Sequence, residues 1–251
     1  AFSPDERTLY VCDTARYHVR AFDVDASREI RKGSGRVFAR LNPETPGGPD
    51  GMKVDRDGRV YVAVAQGIWV FEPEGCLLGI LALPKRPSNL AWCGPDGSTL
   101  AYSHGDEAGT DLMLVDLAGG APRRITVGHG SDNTTPEFSP DGRRIAFTSG
   151  RAGHPEVYIM DVDGSNVELL TPFNFGDQNY RSNPDWAPDA QHIAFESQIS
   201  GMFQIMVISL RDRSVKQLTS DGANEDPAWA PDARHLVFTS SRTGVKQLFI
   251  L

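Results

Sequence analysis

One turn, repeated six times, constrains this chain more than any other feature. Its aspartates are Asp5 in SPDE, Asp57 in DRDG, Asp96 in GPDG, Asp141 in SPDG, and Asp189 and Asp232 in two copies of APDA, spaced 39 to 52 residues apart. Four residues after each comes Leu9, Tyr61, Leu100, Ile145, Ile193 or Leu236. Six after comes Val11, Ala63, Tyr102, Phe147, Phe195 or Phe238. Apolar residues two apart behind a Pro-Asp-Gly type turn predict a half-buried strand leaving a hairpin. Proline presets φ, aspartate bonds the local backbone, and glycine supplies positive φ where it is needed.

A second apolar strand follows in each unit: HVRAFDVD, GIWVFEP, DLMLVDL, EVYIMDV, FQIMVISL and KQLFIL. Most units add a further strand, as in GCLLGILAL, APRRITV, VELLT and SVKQLTS. Four short strands in a repeat of about 40–50 residues are the signature of a propeller blade. The expected fold is therefore all-β, a six-bladed β-propeller of four-stranded antiparallel blades, with residues 1–251 as one domain. The first unit opens inside its innermost strand. The last, PAWAPDARHLVFTSSRTGVKQLFIL, reads as an incomplete blade of three strands, whose unpaired edge invites self-association.

A chain of 251 residues with 39% hydrophobic and 23% charged residues can bury a sizeable core. Its net charge of −8 argues against a nucleic-acid groove or an anionic membrane surface, both of which need a basic footprint. No apolar run approaches ~18 residues, so neither a membrane-spanning helix nor a signal peptide is expected. Cys12, Cys76 and Cys93 form no CxxC motif and read as small packing residues. The six histidines, His18, His104, His129, His154, His192 and His235, are scattered without an HExxH motif. His192 and His235 fall at matching repeat positions. Neither a G-x-S-x-G elbow nor a Gly-rich phosphate loop is present.

Residues 1–98, through AFSPDERTLYVCDT, GGPDGMKVDRDGRVYVAV and PSNLAWCGPDGSTL, resemble the gluconolactonase and regucalcin-like family. That resemblance implies a divalent cation, calcium or zinc, near the propeller axis, polarising a lactone carbonyl and activating water. It implies that Asp50, in PDGM, is a metal ligand. The family's other ligands, an early Glu and an Asn in a P-N-G motif, have no counterpart here. Asp50 thus reads either as one surviving ligand or as a turn carboxylate; calcium wants about 6–8 oxygens, and one carboxylate holds it weakly. Substitute ligands at 131–133 or 223–226 would face the same channel end. The resemblance also points to Asn89 and Asp13 as pocket neighbours, although Asn89 reads equally well as a turn residue bonding its own backbone.

From residue 99 the text changes. TTPEFSPDGRRIAFTSG, SNPDWAPDAQHIAFES and DPAWAPDARHLVFTSS resemble the repeats of the TolB propeller. That resemblance implies a funnel of loops that binds protein partners, notably the peptidoglycan-associated lipoprotein. The corresponding rim would comprise Asp132, Asn133, Tyr180, Arg181, Asn183, Glu225 and Asp226. Binding commonly sits on such loops, and Tyr and Arg are common anchors; a solvated polar rim is the plain alternative. Binding of that lipoprotein is expected to be weak or lost, because the TolB amino-terminal domain has no counterpart here.

A switch of repeat type near residues 98–101, inside the third blade, suggests a recombinant, engineered chimera of two six-bladed parents, with a natural hybrid as the alternative. Such a ring is physically permitted, since each blade contacts mainly its neighbours. The expected function is a hybrid propeller scaffold with no preserved catalytic activity and no cofactor. One alternative is a divalent-metal-dependent lactone hydrolase using Asp50 with calcium or zinc. Another is a protein-binding, TolB-like propeller. The first resemblance implies the cytoplasm, the second the periplasm.

Overall fold

The structure, a computed structural model, describes the chain except residues 28, 42–47, 85, 94–96, 107–108, 127–131 and 172–179. The Asp96 turn and His129 therefore lie outside the described residues. Blade 1 holds β1 (Thr8–Asp13), β2 (His18–Asp23) and β3 (Arg36–Arg40), with Phe2 bridged to Leu9 on its inner side. Blade 2 holds β4 (Met52–Val54), β5 (Val60–Val64), β6 (Gly67–Phe71) and β7 (Leu77–Ala82). Blade 3 holds β8 (Pro87–Cys93), β9 (Thr99–Asp106), β10 (Gly109–Asp116) and β11 (Arg123–Arg124). Blade 4 holds β12 (Asn133–Phe138), β13 (Arg144–Ser149), β14 (Glu156–Asp161) and β15 (Glu168–Leu169). Blade 5 holds β16 (Arg181–Trp186), β17 (His192–Ile199), β18 (Met202–Ser209) and β19 (Val215–Gln217). Blade 6 holds β20 (Asn224–Trp229), β21 (Leu236–Ser240) and β22 (Gln247–Ile250). Among the described residues, neighbouring strands pair antiparallel in sequence order within each blade, giving four strands in blades 2 to 5 and three in blades 1 and 6.

The recurring aspartate does what its chemistry suggests. Asp141 accepts the Arg143 N–H and the Ser139 hydroxyl, Asp189 accepts the N–H groups of Gln191 and His192, and Asp232 those of Arg234 and His235. Burial works to raise the Asp232 carboxyl, yet these amides and the His235 ring hold it down to about 2. Blade 2 departs from the pattern. There Asp55, two residues earlier, caps the turn by accepting the N–H groups of Asp57 and Arg59. Asp57 instead pairs with the Arg59 guanidinium at 2.9 Å. The residue after the turn aspartate is left-handed in all six units, at Glu6, Gly58, Gly97, Gly142, Ala190 and Ala233. Glycine takes that conformation without steric cost, and three units hold it with another residue.

Their sequence pattern predicts half-buried strands behind these turns, and β1, with only Leu9 and Tyr10 buried, stays close to that, but other strands are covered more fully. All five residues of β5 are buried, as are the last five of β13. Each blade is covered on both faces by its neighbours, so alternate positions point into two different interfaces. Six apolar clusters fill these interfaces. Val19, Val62 and Phe71 pack blade 1 on blade 2, while Tyr61, Leu90 and Tyr102 pack blade 2 on blade 3. Leu112, Phe147 and Met160 join blades 3 and 4, and Val157, Trp186 and Phe195 join blades 4 and 5. Ile205 and Phe238 join blades 5 and 6. Leu9, Val24 and Val237, with Phe2 and Ile250 against them, bring blade 6 onto blade 1 and close the ring. Outer strands are wetter, and Leu77, Leu78 and Ile80 on β7 are exposed. No helix among the described residues is long and apolar enough to cross a membrane.

Candidate binding site at the channel mouth

Five inner strands, β4, β8, β12, β16 and β20, line a channel of about 200 Å³ along the ring axis. In blades 4, 5 and 6 the residue ahead of an inner-strand proline is left-handed: Thr135 at φ 48°, Asn183 at φ 51° and Asp226 at φ 56°. A break in ladder register falls at the same place in each blade. A non-glycine residue held there costs of order 1–3 kcal/mol and persists only where its surroundings enforce it. The enforcement is visible. The Thr135 hydroxyl meets that of Thr148 at 2.7 Å, and Asn183 Nδ2 donates to Asp226 Oδ1 at 3.1 Å. Three polar side chains are thereby gathered at one mouth.

Glu196, on β17, ties this group together from below. It is buried and accepts the Ser182 hydroxyl at 2.7 Å, Asn183 Nδ2 at 3.0 Å and the Asp226 N–H at 3.2 Å. Burial raises its pKa and that of Asp226, and the proximity of Asp226 raises Glu196 further. Sequence reasoning missed Glu196. The available signal was the register IAFTS, IAFES, LVFTS, in which one blade carries a carboxylate where the others carry threonine.

Beside the mouth, a wider cavity of about 640 Å³ lies over blades 4 and 5, lined by Asp132, Thr148, His154, Tyr180, Asn183 and Glu196 among others. Asp132 and Tyr180 are exposed there, with the Tyr180 ring edge-on to Phe203 at 5.2 Å. Glu225 is tied to Lys246. Asn133 and Arg181 lie beneath the rim, at 0% and 1% exposure. They belong to a clamp repeated at three blade interfaces. Asn133 reaches Asp111, which also accepts the Thr126 hydroxyl. Arg181 pairs with Glu156, which also accepts Thr171. Asn224 reaches Gln204, which also accepts Thr219. Strand register places His18 of blade 1 and Gly67 of blade 2 where these acidic or amide residues sit.

Asp50 is exposed at the mouth, on a backbone held by its N–H to Ala63 O at 3.0 Å. Partial desolvation by the surrounding channel walls raises its pKa against the pull of Arg86, and the nearby Asp226 raises it further. Gly51 follows, pressed so closely on blade 3 that an added Cβ would lie 2.3 Å from Asn89 Oδ1. Asn89 lies within β8 rather than in a turn, and its Oδ1 accepts the Leu90 N–H at 2.8 Å. Asp13 is occupied by Arg16 at 3.0 Å and His18 at 3.4 Å; its neighbour Thr14 donates to Pro49 O. Asn89 thus lies against Gly51, the residue after Asp50, but the donor set does not fit a calcium or zinc site. It supplies one carboxylate and one amide oxygen that already accepts an N–H. Among the described residues no three His, Cys, Asp or Glu side chains converge for a metal.

The channel floor is charged. Lys53 of β4 pairs with Glu137 of β12 and lies 3.7 Å from Asp185 of β16. Asp185 also accepts the Trp229 N–H at 2.6 Å. Burial pushes Glu137 up to about 7 against the pull of Lys53, and burial raises Asp185 too. Burial would lower Lys53, but its two carboxylates hold it above the usual lysine value. These three residues were also missed. They occupy the penultimate position in GMKV, TPEF and NPDW, which the topology turns toward the axis.

Residues 88–183 and 177–251 match the family described as TolB beta propeller domain, and residues 1–105 match the SMP-30/Gluconolactonase/LRE-like region. An uncharacterised protein of Agrobacterium fabrum is 36% identical over 97 residues, 39% of this chain and 33% of its own length. Gluconolactonase of Zymomonas mobilis is 30% identical over 111 residues, 41% of this chain and 31% of the enzyme. The matched stretch spans about a third of these relatives. TolB from Acinetobacter baumannii shares the fold with a TM-score of 0.75 at 19% identity, over 97% of this chain and 60% of that one.

Proposed function

We propose that this chain, which belongs to the TolB β-propeller family through residues 88–251, is a protein-binding propeller that presents the channel mouth and the rim of blades 4 to 6. The observation that carries this reading is the left-handed set Thr135, Asn183 and Asp226, since strained polar residues held at one mouth are a mark of functional surfaces. Tyr180 and Asp132 extend the same face. The partner to try first is the peptidoglycan-associated lipoprotein implied by the TolB-like repeats. In calorimetric titration at high micromolar protein, the double variant Asn183→Ala/Asp226→Ala should bind about tenfold more weakly than the unaltered chain, a loss of ~1.4 kcal/mol. Equal binding by the two would remove the mouth from the interface, and no binding by either would remove this partner.

The scaffold carries two repeat types. What supports a junction of two parents near residues 98–101 is the polar clamp, which begins with Asp111 in blade 3 and recurs through blade 5.

Lactone hydrolysis is the competing reading, favoured by Asn89 lying against Gly51, next to Asp50, and opposed by their donor set. With a panel of aldonolactones, added calcium or zinc should give no turnover above that of Asp50→Ala. Metal-dependent turnover lost in that variant would make the chain a lactonase.

A further inference from the structure

We propose that Lys53 is the resident cation of the propeller axis: it neutralises Glu137 and Asp185, locks blade 2 to blades 4 and 5, and takes the place a divalent ion would otherwise occupy. Three observations converge. Lys53 is the only cation among the described residues that line the channel, while Glu137, Asp185 and Asp226 are all acidic. The side chains of Lys53, Glu137 and Asp185 are only 24%, 19% and 16% exposed, so solvent screens them poorly. They also come from the two different repeat types, the lysine from residues matching the gluconolactonase-like region and both carboxylates from residues matching the TolB repeats.

Asp185 has its second oxygen on the Trp229 N–H. Without the ammonium, two carboxylates would face each other across a channel of about 200 Å³. Removing one partner of a sequestered ion pair leaves the other charge uncompensated, and that is costly. An oxygen-rich pocket in that state is suited to a hard cation.

The test compares thermal unfolding of Lys53→Met and of the triple variant Lys53→Met/Glu137→Gln/Asp185→Asn with the unaltered chain, each with and without calcium chloride. Lys53→Met should lower Tm by about 5–10 °C. Calcium should recover part of that loss in Lys53→Met and shift neither the unaltered chain nor the triple variant. The triple variant should melt near the unaltered chain, because its axis holds no uncompensated charge. If Lys53→Met does not fold, recovery of folding in the triple variant supports the lock. A triple variant as unstable as Lys53→Met would overturn it, showing lost packing rather than lost charge compensation. An unchanged Tm in Lys53→Met would overturn it as well. An equal calcium shift in the unaltered chain, or none in a folded Lys53→Met, would show that the ammonium does not stand in a cation's place.

Discussion

Arg181→Ala should lower stability by about 3–5 kcal/mol, enough to move Tm down by about 10 °C in a chain of this size. The guanidinium is 1% exposed and pairs with Glu156, itself 3% exposed, on the neighbouring blade. Truncation would leave that carboxylate in the interface with the Thr171 hydroxyl and the His154 ring, 3.3 Å away, but without the permanent cation. The repeat itself supplies a rescue. Between blades 5 and 6 the same position is filled by Asn224 against Gln204 and Thr219, a neutral clamp. Arg181→Asn combined with Glu156→Gln should therefore recover most of the loss, whereas Arg181→Asn alone should not. A thermal melt of Arg181→Ala within 1 kcal/mol of the unaltered chain, or a double variant no better than the single, would contradict a charge-compensating role.

Phe195→Ala should cost about 3–5 kcal/mol through lost burial and the cavity left behind. The ring is 1% exposed and packs among Trp186, Ile193, Met206 and Ile208 on one side of the ring of blades. It follows the turn aspartate by six residues, as Phe147 and Phe238 do in the flanking blades. Phe195→Leu should cost under about 1.5 kcal/mol, since it conserves most of the volume. Urea unfolding would read both as shifts of midpoint at unchanged slope. If Phe195→Ala costs no more than Leu77→Ala on the exposed outer strand, the second strand of each blade is not the centre of the core.

Much of this architecture is legible in the sequence because its signal is local and repeated. Six Asp turns, each with apolar residues four and six positions on, specify six hairpins. Antiparallel hairpins of that spacing leave few architectures other than a propeller. The change from one repeat type to the other is legible for the same reason. Asp50 could be placed near one end of the channel, because its turn leads directly into an inner strand, β4.

Other features were not legible, each for a physical reason. The alternation after each turn looked half-buried, since sequence shows that a position is apolar and not how many neighbours cover it. Asn133 and Arg181 read as rim residues beside Tyr180, and yet a shift of one or two positions along an inner strand separates solvent from an interface. Asp55 rather than Asp57 caps the blade 2 turn, a choice made by backbone geometry within a single DRDG run.

By itself, then, the sequence determined the number of blades, the strand order within each and the two kinds of repeat, all of which follow from contacts within about 50 residues. Only the tertiary structure decided which polar residues meet. Lys53 and Glu137 are 84 residues apart in the chain. Their meeting depends on closure of the ring, which brings inner strands from five blades to one axis, and no local pattern encodes that distance.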